Sequence, residues 1–248
     1  MNELFETHDV FELLGVGVNR AMLLMFVAAF IVMLVIWVAF RKQNIVPTKF
    51  GAAIESIVVF IKDDVALGII GPEGLRYFPY LLSIFLFILV GNLFELTPGV
   101  NFPITSRMAI PAFLALVTWV IFVFEGFRVQ GFGYLGHIVW PKDVPVAIRP
   151  LVGVIEFVSI FLVRPFSLAV RLFANLVAGH VMLTLLLVTG YVYVVGFSNA
   201  TFNGLFGAMW WLLALAIFLF EVVVSAIQAY IFTLLSAVYI QTSVHAEH

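Results

Sequence analysis

The 248-residue chain is 64% hydrophobic and only 10% charged, with a net charge of −2 and no cysteine. Soluble domains carry roughly 25% charged residues, so water is excluded as the solvent for most of this surface, and a mean hydropathy of +1.17 points to a bilayer instead. Lack of cysteine excludes disulfides, thiolate metal sites and thiol redox chemistry, and the absence of a basic patch excludes a nucleic-acid surface.

Residues 1–20 place Glu3, Glu6, Asp9 and Glu12 ahead of the first apolar run. That is the opposite of a basic secretory leader, so this segment reads as mature and extracytoplasmic. The first span is predicted over 21–40, closed by Arg41, Lys42 and Lys49, a flank typical of the cytoplasmic side. Residues 43–77 are more polar, with an apolar patch at 54–61 beside Lys62, Asp63 and Asp64; they read as an interfacial or short surface helix rather than a span. Further spans are predicted over 79–96, ending at Thr97-Pro98-Gly99, and over 109–124, with Arg107 the only charge between them. The connector 125–150 carries Arg128, Lys142 and Arg149. The alternation of charge puts the N-terminus outside and the C-terminus in the cytoplasm.

From 151 to 240 the chain is almost continuously apolar, interrupted by an uncharged stretch over 190–207 rich in Gly, Ser, Asn and aromatic residues. Helices over 166–197 and 205–240 would be about 48 and 54 Å long at ~1.5 Å per residue, against a hydrocarbon core of ~30 Å. The longer helix must lie strongly inclined, break or emerge, and its apolar run to Ile240 favours steep inclination. The expected fold is thus all-α: a polytopic membrane protein forming one domain over 1–248, with about five membrane-embedded helices. Residues 21–150 supply upright spans and the interfacial segment, and 151–240 a hairpin of two long, inclined helices. No internal repeat of 20 to 50 residues is visible.

Between Arg171 and Glu247, histidines aside, the only Asp, Glu, Lys or Arg is Glu221. An arginine at a helix centre costs from about 2.5 to over 10 kcal/mol in a bilayer, so such residues face a cavity, a partner or an ion pathway. The alternative for Arg171 is an interfacial snorkelling anchor; for Glu221 it is a neutral carboxylic acid tying two helices together. Asn175 lies four residues after Arg171 and Ala178 seven, with Ala174 and Gly179 nearby, which predicts a guanidinium and an amide on one face lined by small side chains. His180, nine residues on, is offset by about 180° and serves another face, or is a packed core histidine. Glu221, Ser225 and Gln228 follow an i, i+4, i+7 pattern, one polar stripe on an apolar helix. Asn175 and Gln228 can equally act as hydrogen-bond glue between helices. Glu95 and Glu125 stand at predicted helix ends and read as interfacial. Glu156 and Arg164 precede Pro165 in the predicted connection between helices and can pair or line a cytoplasmic mouth.

The run from Arg164-Pro165-Phe166 through Arg171 and Asn175 to Ala178-Gly179-His180 resembles the signature of subunit a of F-type ATP synthases. Glu221 with Gln228 resembles that family's last helix, and Gly91-Asn92-Leu93 to Pro98-Gly99 an earlier signature. The resemblance covers the chain from about residue 79 onward. It implies a non-catalytic, static channel subunit beside a rotating c-ring whose carboxylates are neutral in lipid. Arg171 would meet each ring carboxylate and separate two aqueous half-channels, and Asn175 would orient it. His180, Glu221 and Gln228 would line the outer path, with Ser225 beside them and Glu156 and Arg164 toward the cytoplasm. One departure stands out: Glu156 is one residue further from Arg171 than the family spacing. Implied partners are the c-ring, b-type subunits of a peripheral stalk, a water-soluble ATPase sector and membrane lipid, in a bacterial inner membrane. No cofactor or metal is expected, and no phosphate-cradling GxxxxGK[ST] run is present. The rival reading is a secondary transporter in which Arg171 binds an anionic substrate and Glu221 carries a coupling proton; such proteins commonly show repeated halves, which this sequence does not.

Overall fold

The computed structural model describes residues 9–13, 16–41, 49–96, 108–140, 144–195 and 200–244. A small antiparallel hairpin, β1 (Asp9–Leu13) and β2 (Val16–Asn19), comes first, pairing Phe11 with Val18 and Leu13 with Val16. Helices follow: α1 (Arg20–Arg41), α2 (Lys49–Phe60), α3 (Phe78–Leu96), α4 (Ala109–Gln130), α5 (Gly133–Val139), α6 (Arg149–Val158), α7 (Arg164–Val195) and α8 (Ala200–Val244). The helices at 109–130, 149–195 and 204–244 are long and apolar enough to cross a membrane, and Met25–Val38 and Phe78–Phe94 are shorter apolar helices. The chain is a polytopic membrane protein built from helices. The expected stop at Thr97-Pro98-Gly99, together with Arg107 and Lys142, lies outside the described residues.

Helix α8 is the axis of the bundle, packed against α3, α4, α7 and the segment 61–70. Its buried Ala229, Phe232, Ala237 and Ile240 meet Leu81 and Ile88 of α3, Phe122 of α4, and Leu168, Leu172 and Leu176 of α7. Many apolar side chains on α7 and α8, among them Leu185, Val188, Leu212 and Leu219, stay exposed, as expected where the solvent is hydrocarbon.

The segment after α1 is helical, as predicted, but it is integrated into the core. Residues 61–70 form a π-helix whose buried face, Ile61, Val65, Ala66 and Ile70, repeats every four to five residues, as the wider i→i+5 turn requires. Lys62, Asp63 and Asp64 point outward. Gly71, at φ 89°, turns the chain into a short 3-10 helix, Pro72–Arg76, a left-handed position that glycine adopts without a Cβ clash.

Three predicted boundaries move. Helix α4 continues to Gln130 rather than stopping near 124. The interruption predicted over 190–207 shrinks, because α7 reaches Val195 and α8 begins at Ala200. The glycines that suggested a break instead let the two helices approach: a Cβ on Gly190 would run into the Trp211 ring, and one on Gly207 into the Val194 side chain. Finally, 149–195 is one unbroken helix of 47 residues, so Glu156 and Arg164 sit on a helix and not in a connection. A π-turn, Ser159–Val163, lies in its first third. At about 1.5 Å per residue this helix is roughly 70 Å long.

Candidate functional site

The polar stripe predicted on α8 is buried. Glu221 is 6% exposed, and Ser225 and Gln228 are buried with it. Each comes from the helical i, i+4, i+7 repeat, and α7 and α3 cover the stripe from two sides. On the α7 side the covering residue is Gly179, where an added Cβ would lie 2.6 Å from Glu221 Oε2. The glycine gives the carboxylate its space against the α7 backbone. On the α3 side, fully buried Asn92 donates from Nδ2 to the Ser225 carbonyl at 3.4 Å. Asn92 Oδ1 and Gln228 Nε2 are buried without a protein partner. Unsatisfied polar atoms of that kind are costly in a dry core and favourable beside water.

Arg171 occupies a different face. It is exposed, as are Ala174 and Ala178, and Asn175 is half-buried among them. Four residues expected on one small-lined face therefore share it, but Gly179 does not, since it is buried under Glu221. Eight residues of α7 separate Gly179 from Arg171, about 12 Å along the axis at ~1.5 Å per residue, so the structure keeps Glu221 and Arg171 apart. His180 is half-buried and follows Gly179 directly.

Toward the other end of the pair, Arg164 donates from Nη1 to Thr242 Oγ1 at 3.2 Å and lies over the Tyr239 ring at 5.1 Å from its centre, a cation–π contact that fixes α7 to the end of α8. Glu156 is half-buried. No pairing of Glu156 with Arg164 is among the ion pairs of the described residues.

Sequence reasoning missed two features. Asn92 had figured only within a family signature, because its contact with Ser225 spans 133 positions. Glu125, read as interfacial, is 6% exposed. Arg128 Nη1 donates to both its oxygens, at 3.0 and 2.9 Å, and Arg76 stands 3.9 Å away. The Arg128 spacing of i+3 was visible in the sequence; the approach of Arg76 was not. Tyr77, just before α3, joins this cluster: its phenol is pushed up to about 12, first by burial and then by hydrogen bonding to Glu125, so it stays protonated at any working pH.

The model of the family described as ATP synthase A chain matches residues 22–241. The chain is 41% identical to an ATP synthase subunit a of Frankia alni over 99% of its own length and 86% of that protein. It is 35% identical to one from a Nocardioides species, over 97% and 88%, and 34% identical to one from Maricaulis maris, over 98% and 96%.

Proposed function

Since the chain belongs to the ATP synthase subunit a family, the proton-translocating stator subunits of the membrane sector, we propose that its two faces divide the work of coupling. The buried stripe forms the outer half-channel, and the exposed arginine meets the rotor. The observation that carries this reading is the separation between Glu221, buried against Gly179, and Arg171, exposed on a face of small side chains.

A carboxylate crosses hydrocarbon only when protonated, because the charged form loses its hydration. A fixed cation beside it reverses that preference. Arg171 supplies the cation: a guanidinium keeps its proton at working pH and is weakly hydrated, so it attracts an ionised ring carboxylate without relaying protons. Ala174 and Ala178 allow the ring helix to come close, and Asn175 orients the guanidinium. On the outer side Glu221 and His180 exchange protons, while Gln228, Ser225 and Asn92 hold the water through which they move. On the cytoplasmic side Glu156 and Arg164 line the way out. Moving one charge through the field yields about 2.3 kcal/mol per 100 mV, and rotation sums such steps.

As a member of an ATP synthase complex, the chain would contact a c-ring through Arg171, b-type subunits of a peripheral stalk, and through the complex a water-soluble ATPase sector. Its bacterial relatives favour the plasma membrane, with the N-terminus outside and the C-terminus cytoplasmic. The length of the helices at 149–195 and 204–244 favours steep inclination or extension beyond the hydrocarbon. Family membership sets the transporter reading aside.

The test is proton-driven ATP synthesis and passive proton leak in vesicles holding the assembled complex, with Arg171→Ala beside the unmodified chain. Loss of synthesis with normal assembly and unchanged or greater leak is the expected result. Synthesis at the normal rate would return Arg171 to the role of an anchor.

A further inference from the structure

The buried face of α8 does not end at Gln228. Continued at ~3.6 residues per turn, the row Glu221, Ser225, Gln228 runs on through Phe232 to Ser236, Tyr239 and Ser243. Every position of that row but one carries a polar group. The exception, Phe232, is 1% exposed, and Ser236 and Ser243 beyond it are as deeply buried.

The row therefore has two polar ends and an apolar middle. At one end Glu221, Ser225 and Gln228 meet Asn92, with Asn92 Oδ1 and Gln228 Nε2 lacking a protein partner. At the other, the Tyr80 phenol of α3 lies 2.6 Å from Thr118 Oγ1 of α4 and also hydrogen-bonds to Ser236. Gln228 and Ser236 are separated by about 12 Å along the axis at ~1.5 Å per residue. The hydroxyls of α8 nearest this gap are turned onto their own backbone: Thr233 donates to the Ala229 carbonyl at 2.9 Å, and Ser236 to that of Phe232 at 2.8 Å. On α3 the row leading away from Asn92, through Ile88 and Phe85 to Leu81, is buried and apolar.

Phe232 also stands level with Arg171. Gly179 faces Glu221, and Arg164 reaches Tyr239 and Thr242; interpolation between these crossings of the antiparallel pair sets Arg171 opposite about residue 231 or 232. The arginine lies on the exposed face of α7, away from the buried row of α8. A proton travels along hydrogen-bonded groups and water, whereas an apolar stretch strips the charge of its hydration.

We propose that Phe232 is an insulating plug: it breaks the polar row of α8 at the level of Arg171 and denies protons in the Glu221 stripe a direct path to Ser236, Tyr80 and Thr118. The proposal rests on the Glu221 stripe being the outer half-channel. It adds a second barrier, inside the subunit, to the one Arg171 supplies toward the rotor.

The test compares Phe232→Ser and Phe232→Thr, which complete the row and leave room for water, with Phe232→Leu, which keeps it apolar. In vesicles holding the assembled complex, the polar variants raise passive proton leak roughly tenfold, as a barrier lower by about 1.4 kcal/mol would, while Phe232→Leu leaves it within about twofold. Adding Ser236→Ala and Tyr80→Phe to Phe232→Ser returns the leak toward the unmodified level, because the far polar end is then gone. A leak caused by loosened packing would persist. Unmodified leak in both polar variants overturns the proposal, as does leak that survives the added changes. Failure of both polar variants to assemble overturns it too, since Phe232 would then be a packing residue alone. The underlying reading fails separately: normal synthesis in Glu221→Leu takes the stripe off the proton path, whereas lost synthesis there beside a tight Phe232→Ser removes only the plug.

Discussion

Two glutamates in this protein are equally buried, at 6% exposure, and they are built for opposite purposes. Glu125 lies at the end of α4 in the grip of Arg128, with Arg76 beyond it and the Tyr77 phenol beside it. Glu221 lies midway along α8, and among the described residues no arginine or lysine comes within ion-pair distance. What it meets is the bare backbone of Gly179 and, a turn away, the polar atoms of Ser225 and Asn92. A carboxylate with a fixed cation holds its charge and joins two elements. One with space and neutral polar neighbours can change its protonation state at lower cost. Burial alone does not separate a clasp from a relay; the neighbours do.

The sharpest way to break that comparison is to remove the two carboxylates in turn. Glu221→Leu fills the buried stripe with a side chain that neither carries a proton nor holds water. It is expected to lower proton-driven synthesis on the order of 10²-fold, the usual scale for a lost proton-transfer group, with the c-ring still bound. Synthesis at the unmodified rate would make Glu221 a helix tie.

A smaller effect tests the glycine. In Gly179→Ala the new Cβ meets the Glu221 carboxylate, the far end of a flexible side chain, and not backbone. The carboxylate therefore shifts while the helices stay packed. Synthesis is expected to fall roughly tenfold, less than the ~10²-fold that a full 1 Å misplacement can cost, with the melting temperature of the complex unchanged. An equal loss of stability and synthesis would mean that Gly179 serves helix packing alone.

How much of this was legible depended on distance along the chain. The stripe Glu221, Ser225, Gln228 and the isolation of Arg171 are local patterns, and both were readable from spacing and hydropathy. Gly179 was visible as a small residue but assigned to the wrong face, because its true neighbour lies on α8. Asn92 was hidden because its contact closes a long loop. The join at Pro165 misled in another way: proline signals a helix end, and only the π-turn reveals how the helix continues through it.

The smallest effects belong to the Glu125 clasp, and their asymmetry identifies it. Arg128 and Arg76 are 43% and 57% exposed, so Glu125→Gln leaves two cations that water can still solvate, and the change should cost no more than about 1 kcal/mol. Arg128→Leu instead leaves the buried carboxylate with only Arg76, at 3.9 Å, and the Tyr77 phenol. Stranding a buried charge costs more, about 1–3 kcal/mol. Denaturation of the complex should therefore rank Arg128→Leu below Glu125→Gln, while synthesis per assembled complex stays level in both. The reverse order would show that the carboxylate matters for more than its partner. Lost synthesis in a fully assembled Glu125→Gln complex would place Glu125 on the proton path beside Glu221.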